Sequence, residues 1–209
     1  MAPPPPTPAS VMGLLGTGRS ADARRELAAL VRARPRDAQT WLCAAWIEHD
    51  ARNIAPMRAA AERAAKLGAP GYLVDILMAV AANALGEMDE AITRAERATR
   101  TAQGANRQLA LAVLAESLYF ANRVDDLATL LQSDAEFRAD PRGQLLLSRV
   151  HRRQGRLEES EAVLRAVVAS GASVRVRQSA GSELAKLLDS MHRYAEAFAA
   201  AKAMHAATG

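Results

Sequence analysis

The sequence predicts an all-α solenoid made of about six helical hairpins, and three observations carry that prediction. Half of the 209 residues are apolar, and alanine dominates that half while aromatics amount to 4%. Alanine has the highest intrinsic helix propensity, and leucine, arginine and glutamate supply most of the rest. Valine, isoleucine and threonine are too thinly spread to build a sheet. Most telling is a turn that recurs at almost constant spacing and is followed each time by a new amphipathic stretch.

The clearest copy is the apolar run Tyr72–Leu85, the turn Gly86-Glu87-Met88-Asp89 and a second helix reaching Ala102. Equivalent turn residues align at Gly18, Arg52, Gly86, Asn122, Gly155 and His192, separated by 34, 34, 36, 33 and 37 residues. Two residues after each comes a side chain able to seal the turn: Ser20, Ile54, Met88, Val124, Leu157 and Tyr194. Five after come Ala23, Met57, Ala91, Leu127, Ser160 and Ala197. Seven before, from the second hairpin on, come Ala45, Ala79, Ala115, Ser148 and Ala185. That last column is uniformly small, as close contact between the two helices of a hairpin requires.

In chain order, Pro3–Pro6 and Pro8 remove amide donors, so residues 1–9 read as a disordered or polyproline-II tail. Pro3-Pro4-Pro5-Pro6 formally fits the PxxP of an SH3-type ligand, but an inert tail is the favoured reading. The predicted helix pairs are Ser10–Thr17 with Ala21–Ala33, Asp37–Asp50 with Ala55–Leu67, and Gly71–Leu85 with Met88–Ala102. They continue as Ala105–Ala121 with Val124–Ser133, Pro141–Gln154 with Leu157–Ala169, and Val174–Ser190 with Tyr194–Ala206. Gly13 and Gly16 weaken the first helix. Asp140-Pro141 reads as an N-cap followed by proline at the first helical position, and Ser173 can cap the next helix. Hairpins of this kind cannot bury their apolar faces alone, so residues 10–207 are expected to stack as one domain.

These columns resemble the tetratricopeptide repeat family, whose unit is about 34 residues in two antiparallel helices. The small residue midway along the first helix matches Ala45 to Ala185, and the turn pattern matches Gly86 to Ala91. The later proline or helix stop matches Pro35, Gly68–Pro70, Gly104, Pro141 and Gly171, and Trp41 matches an early tryptophan. The resemblance covers about residues 9–207. It implies a right-handed superhelix whose first helices line a concave groove, and it says nearly nothing of the ligand.

Projecting the family's inward positions gives a candidate binding surface. Leu42, Trp46 and His49 come from the second hairpin, Ile76, Val80 and Asn83 from the third, and Glu116 and Tyr119 from the fourth. Arg142, Arg149, Arg152 and Arg153 come from the fifth and Lys186 from the sixth. The groove would run from apolar to basic. Helix geometry alone puts Arg142, Arg149, Arg152 and Arg153 on one face, where they serve an anionic partner or are merely solvated. Trp46 is either an anchor or core.

Composition narrows the function classes. A net charge of +4 is weak evidence for an anionic partner. The single cysteine, Cys43, excludes an internal disulfide framework and a cysteine zinc cluster. The start lacks the basic and apolar regions of a signal peptide, and Tyr72–Leu85 is too short to span a bilayer. The chain therefore reads as a soluble cytoplasmic protein with no membrane partner. Neither His49, His151, His192 nor His205 has the spacing of a metal ligand, no phosphate loop follows a strand, and no cofactor is expected. The carboxylate clamp of some family members is absent, because the positions it needs hold Leu42, Ile76, Ala112, Leu145 and Ser182. The same apolar positions argue against reading RNA bases.

The expected function is a non-catalytic scaffold that receives a peptide or protein segment, acidic toward one end. The alternative is the repeat part of a bacterial sulfotransferase-type enzyme, because Met191–His205 resembles the last repeat before such domains and the catalytic domain itself is absent from this stretch. The apolar end Ala199–Ala206 could also meet a second copy or a following domain.

Overall fold

The computed structural model describes residues 5–206, with side chains to 204. The proline motif expected at Pro3–Pro6 starts outside the described residues, as do the side chain of His205 and the end beyond Ala206. Among the described residues there are thirteen helices and no strand. They are α1 Pro8–Gly16, α2 Ser20–Ala33, α3 Ala38–Asp50, α4 Ile54–Lys66, α5 Gly71–Leu85, α6 Met88–Thr101 and α7 Gly104–Phe120. There follow α8 Val124–Ser133, α9 Ala135–Ala139, α10 Pro141–Arg153, α11 Leu157–Ala169, α12 Val174–Ser190 and α13 Tyr194–Ala206. The chain forms two compact units, one ending at Ser117 and the other starting at Leu118, so that the division falls within α7.

Every aligned turn residue is left-handed: φ is 77° at Gly18, 58° at Arg52, 81° at Gly86, 58° at Asn122, 75° at Gly155 and 61° at His192. In each, the next residue's amide reaches back to the carbonyl four residues before the turn, as Glu87 N does to Ala82 O at 2.9 Å and Arg123 N to Leu118 O at 2.8 Å. This bond closes a helix C-terminus by satisfying a carbonyl the helix itself cannot. The same residue then accepts the first bond of the following helix, as Glu87 O does from Ala91 N at 3.0 Å.

The two aligned columns meet inside the hairpins. Ala45, Ala79, Ala115 and Ser148 are buried, as are Ala23, Met57, Ala91, Leu127, Ser160 and Ala197; Ala185 is only half-buried. In the fifth hairpin the contact is explicit, because Ser160 Oγ donates to Ser148 O at 2.8 Å. In the first unit α1 packs on α2, α3 on α4 and α5 on α6, and successive first helices touch, α1 with α3 and α3 with α5. One core there gathers Leu42, Met57, Ala61, Val74, Leu77 and Ala81. In the second unit α10 packs on α11 and α12 on α13, with Leu164, Val167, Leu184, Leu187 and Leu188 between them.

Three expectations change. Helix α1 begins at Pro8, inside the segment expected to be a tail: proline sits at its first helical position, where no amide is needed, and Thr7 and Ser10 cap each other's backbone. Ser173 stands at the start of α12 without making a side-chain cap, whereas Asp140 does accept from Arg142 N at 2.8 Å. Between α8 and α10 the chain adds α9, capped by Asp134, and the buried Phe137 fills the space it encloses. Gly143 admits this short helix, since a Cβ there would lie 1.9 Å from Phe137 O.

Because Ala79 is fully buried at the aligned small position of its hairpin, Ala79→Leu should lower stability by about 1–3 kcal/mol through overpacking. The check is the urea midpoint, which an incorrectly aligned column would leave unmoved.

Candidate functional site

In the first unit the expected surface residues separate by depth. Leu42 and Ile76, projected onto the groove wall, are 3% and 0% exposed, so they are core and cannot meet a partner. Leu42 on α3 shares a core with Val74, Leu77 and Ala81 of α5, the next first helix. Trp46 and Val80 are half-buried, packed on the same core with part of each side chain open. Trp46 meets His49 edge-on, ring centres 5.5 Å apart. Asn83 Nδ2 donates to Ser117 Oγ at 2.9 Å, and that hydroxyl donates to Val113 O at 2.8 Å. This chain of bonds fixes the amide's orientation and leaves Asn83 Oδ1 buried without a partner, a costly state that a donor would relieve. Glu116 is exposed on α7.

In the second unit the basic side chains gather around Tyr119. The guanidinium of Arg149 stands 5.2 Å from the ring centre and that of Arg153 5.6 Å, while Arg152 Nη2 lies 3.4 Å from the hydroxyl. Their charges are not equivalent. Arg149 Nε donates to Glu183 Oε1 at 2.9 Å, and both side chains are largely buried, so this cation is neutralised and ties α10 to α12. Arg142 pairs with the capping carboxylate of Asp140 at 3.3 Å. Arg152 and Arg153 have no carboxylate partner among the described residues, and Lys186 is exposed on α12.

Glu183 was not singled out from the sequence. It lies 34 residues after Arg149, as Ser117 lies 34 after Asn83, so the signal that could have found it is a polar pair one repeat apart on successive first helices.

His151 is packed rather than poised for chemistry. Burial, and then Arg156, hold its pKa below the ordinary histidine value, and Glu159 opposes them weakly. Its Nδ1 lies 3.2 Å from Glu159 Oε2 without making a hydrogen bond. Burial pushes the Cys43 thiol up to about 11, far from a reactive thiolate. No group of metal-ligating side chains occurs among the described residues, and no described helix is long and apolar enough to cross a membrane. On α13, Tyr194 and Phe198 are 61% and 72% exposed.

No protein-family model and no curated protein matches the sequence, but solved structures match its fold. A chain of the APC/C hetero-tetramer Cut9–Hcn1 superposes with a TM-score of 0.78 at 18% identity, over 92% of this chain and 38% of that one. PilW, a widely conserved type IV pilus biogenesis factor, gives 0.70 at 13% identity over 92% of this chain and 89% of its own. A tetratricopeptide repeat protein from Parabacteroides merdae gives 0.70 at 12% identity over 86% and 68%. The fold is thus shared with tetratricopeptide repeat proteins, at identities that speak for the fold alone.

The unequal charges around Tyr119 predict unequal mutants. Arg149→Glu should lower the urea midpoint by the equivalent of about 1–3 kcal/mol, since it leaves Glu183 buried beside a second carboxylate. Arg152→Glu should stay within roughly 0.5 kcal/mol of wild type.

Proposed function

We propose that the chain is a non-catalytic scaffold that holds an acidic peptide or protein segment against its first helices. The observation that carries this reading is the pair Arg152 and Arg153, held at Tyr119 without carboxylate partners beside an Arg149 that is already neutralised. A flanking aromatic surface with two uncompensated guanidinium groups suits a ligand that brings its own carboxylates, with the exposed Lys186 adding long-range attraction. In the first unit Trp46, His49 and Val80 offer an aromatic, partly apolar surface, with Asn83 behind it, which suits an apolar side chain. That a related fold forms part of the Cut9–Hcn1 hetero-tetramer supports a protein partner.

The test is a pull-down from cell extract followed by titration of the captured partner. Arg152→Glu/Arg153→Glu should weaken binding roughly tenfold or more with an unchanged circular dichroism spectrum. Equal affinity would sink the electrostatic reading.

A second reading is favoured by the exposure of Tyr194 and Phe198: two copies pair through α13. Light scattering over a hundredfold concentration range should then show a dimer that Phe198→Glu abolishes, and a monomer throughout would contradict it.

A further inference from the structure

The register that aligns the hairpins also aligns the hollows between their helices. In the third hairpin, Asp75 lies eleven residues before Gly86 and Arg97 eleven after it. There carboxylate and guanidinium meet, with Arg97 Nε donating to Asp75 Oδ2 at 2.6 Å and Arg94 adding a contact at 3.3 Å. Asp75 in turn raises the pKa of Arg97 above its ordinary value. In the second hairpin the same two positions around Arg52 hold Trp41 and Arg63. The arginine keeps its place and its carboxylate is gone. Arg63 instead lies over the Trp41 ring, 4.4 Å from the centre, and the indole is pinned by Nε1 donating to Pro35 O at 2.9 Å.

Between α3 and α4 at this level is a cleft of about 800 Å³ with a floor of small apolar side chains, and Arg36 and Lys66 stand beside Arg63 at its rim. Its own acids are engaged elsewhere. Glu48 accepts from Arg24 at 3.2 Å and from Asn53 at 2.6 Å, and Glu62 lies 3.6 Å from Arg58. Arg36, Arg63 and Lys66 have no carboxylate partner among the described residues. The last turn of α4 tolerates Arg63 and Lys66 because cations there face the negative end of the helix dipole.

The next junction carries an ion pair that this one lacks, beside a smaller cleft of about 520 Å³ lined by Asp75, Arg94 and Arg97. Arg58 on α4 pairs with Glu87 at 3.2 Å and Glu90 at 3.9 Å at the start of α6. One repeat earlier Arg24 occupies the position of Arg58, and the positions of Glu87 and Glu90 hold Asn53 and Pro56. Neither can supply a charge, so no ion pair stitches α2 to α4 in this way.

We propose that this cleft binds an acidic peptide segment whose carboxylates meet Arg63, Arg36 and Lys66 as Asp75 meets Arg97, while its apolar side chains lie on the alanine floor. A polyphosphate chain fits less well, because Glu48 and Glu62 at the edge would repel continuous negative charge and the floor offers it nothing. The site is separate from the surface at Trp46, which lies five residues after Trp41 and so about 140° around α3. It does not rest on the reading of Arg152 and Arg153.

Trp41 reports on the cleft directly. The chain has two tryptophans, so Trp46→Phe leaves Trp41 alone and also disables the other aromatic surface. The probes are a synthetic peptide mixing glutamate and leucine, its lysine–leucine and glutamate–serine counterparts, and inorganic polyphosphate. The glutamate–leucine peptide should change Trp41 fluorescence saturably. Arg36→Glu/Lys66→Glu, at two exposed positions and with folding checked by circular dichroism, should weaken that response at least tenfold. Arg152→Glu/Arg153→Glu should leave it intact. No response of Trp41, a response indifferent to Arg36 and Lys66, or equal binding of polyphosphate or of the glutamate–serine peptide would overturn the proposal.

Discussion

The left-handed residue that ends each first helix is the constraint on which the rest depends. Its backbone turns the chain sharply enough for the next amide to reach a helix carbonyl, and that bond at once starts the second helix. From this follow the short reach of the hairpin and the meeting of the columns seven residues before and five after. Glycine adopts this conformation freely, whereas an L-residue suffers a close approach between Cβ and carbonyl. Three of the six turns nevertheless use Arg52, Asn122 and His192. Asparagine enters this region more easily than most, and His192 is held by the 2.8 Å contact of Nδ1 with Tyr194 Oη. For Arg52 no side-chain bond compensates among the described residues.

Charge is laid on the same register and varies where the backbone does not. The hollow within a hairpin holds Asp75 and Arg97 in the third, Trp41 and Arg63 in the second, and Gly181 and Ala203 in the sixth. The sixth is consequently an apolar pocket of about 260 Å³. Second helices are joined by ion pairs whose polarity is reversible: Arg58 to Glu87 in the first unit, Glu161 to Arg193 in the second. The more exposed of the two, Arg58 with Glu87, contributes little by itself. What such pairs decide is which charges are left over for a partner. Arg149, the centre of the basic stripe by sequence, is spent on Glu183, and the uncompensated cations are its neighbours.

Backbone architecture was the most legible part of the sequence. The turns could be placed because spacing and side-chain size recur, and five predicted helices, among them Gly71–Leu85 and Val174–Ser190, match the structure at both ends. Helix α9 was missed because five residues show no periodicity; its trace was Asp134, three residues ahead of the amide it caps. The binding surface was less legible. Periodicity gives a residue's place around a helix but not its depth, so it did not reveal that Leu42 and Ile76 are buried. Partners one repeat apart, such as Arg149 with Glu183, require contacts between hairpins that a single-hairpin projection does not contain.

The central claim is that the left-handed turn, rather than any particular side chain there, holds each hairpin together. It is tested most directly by exchanging residues at two equivalent turns. No atom lies within 4 Å of where a Cβ would sit at Gly86, so Gly86→Ala changes backbone preference and little else. The account predicts that Gly86→Ala lowers the chemical denaturation midpoint, by the equivalent of roughly 1 kcal/mol, and that Arg52→Gly raises it. Two unchanged midpoints, or a loss on Arg52→Gly, would contradict it.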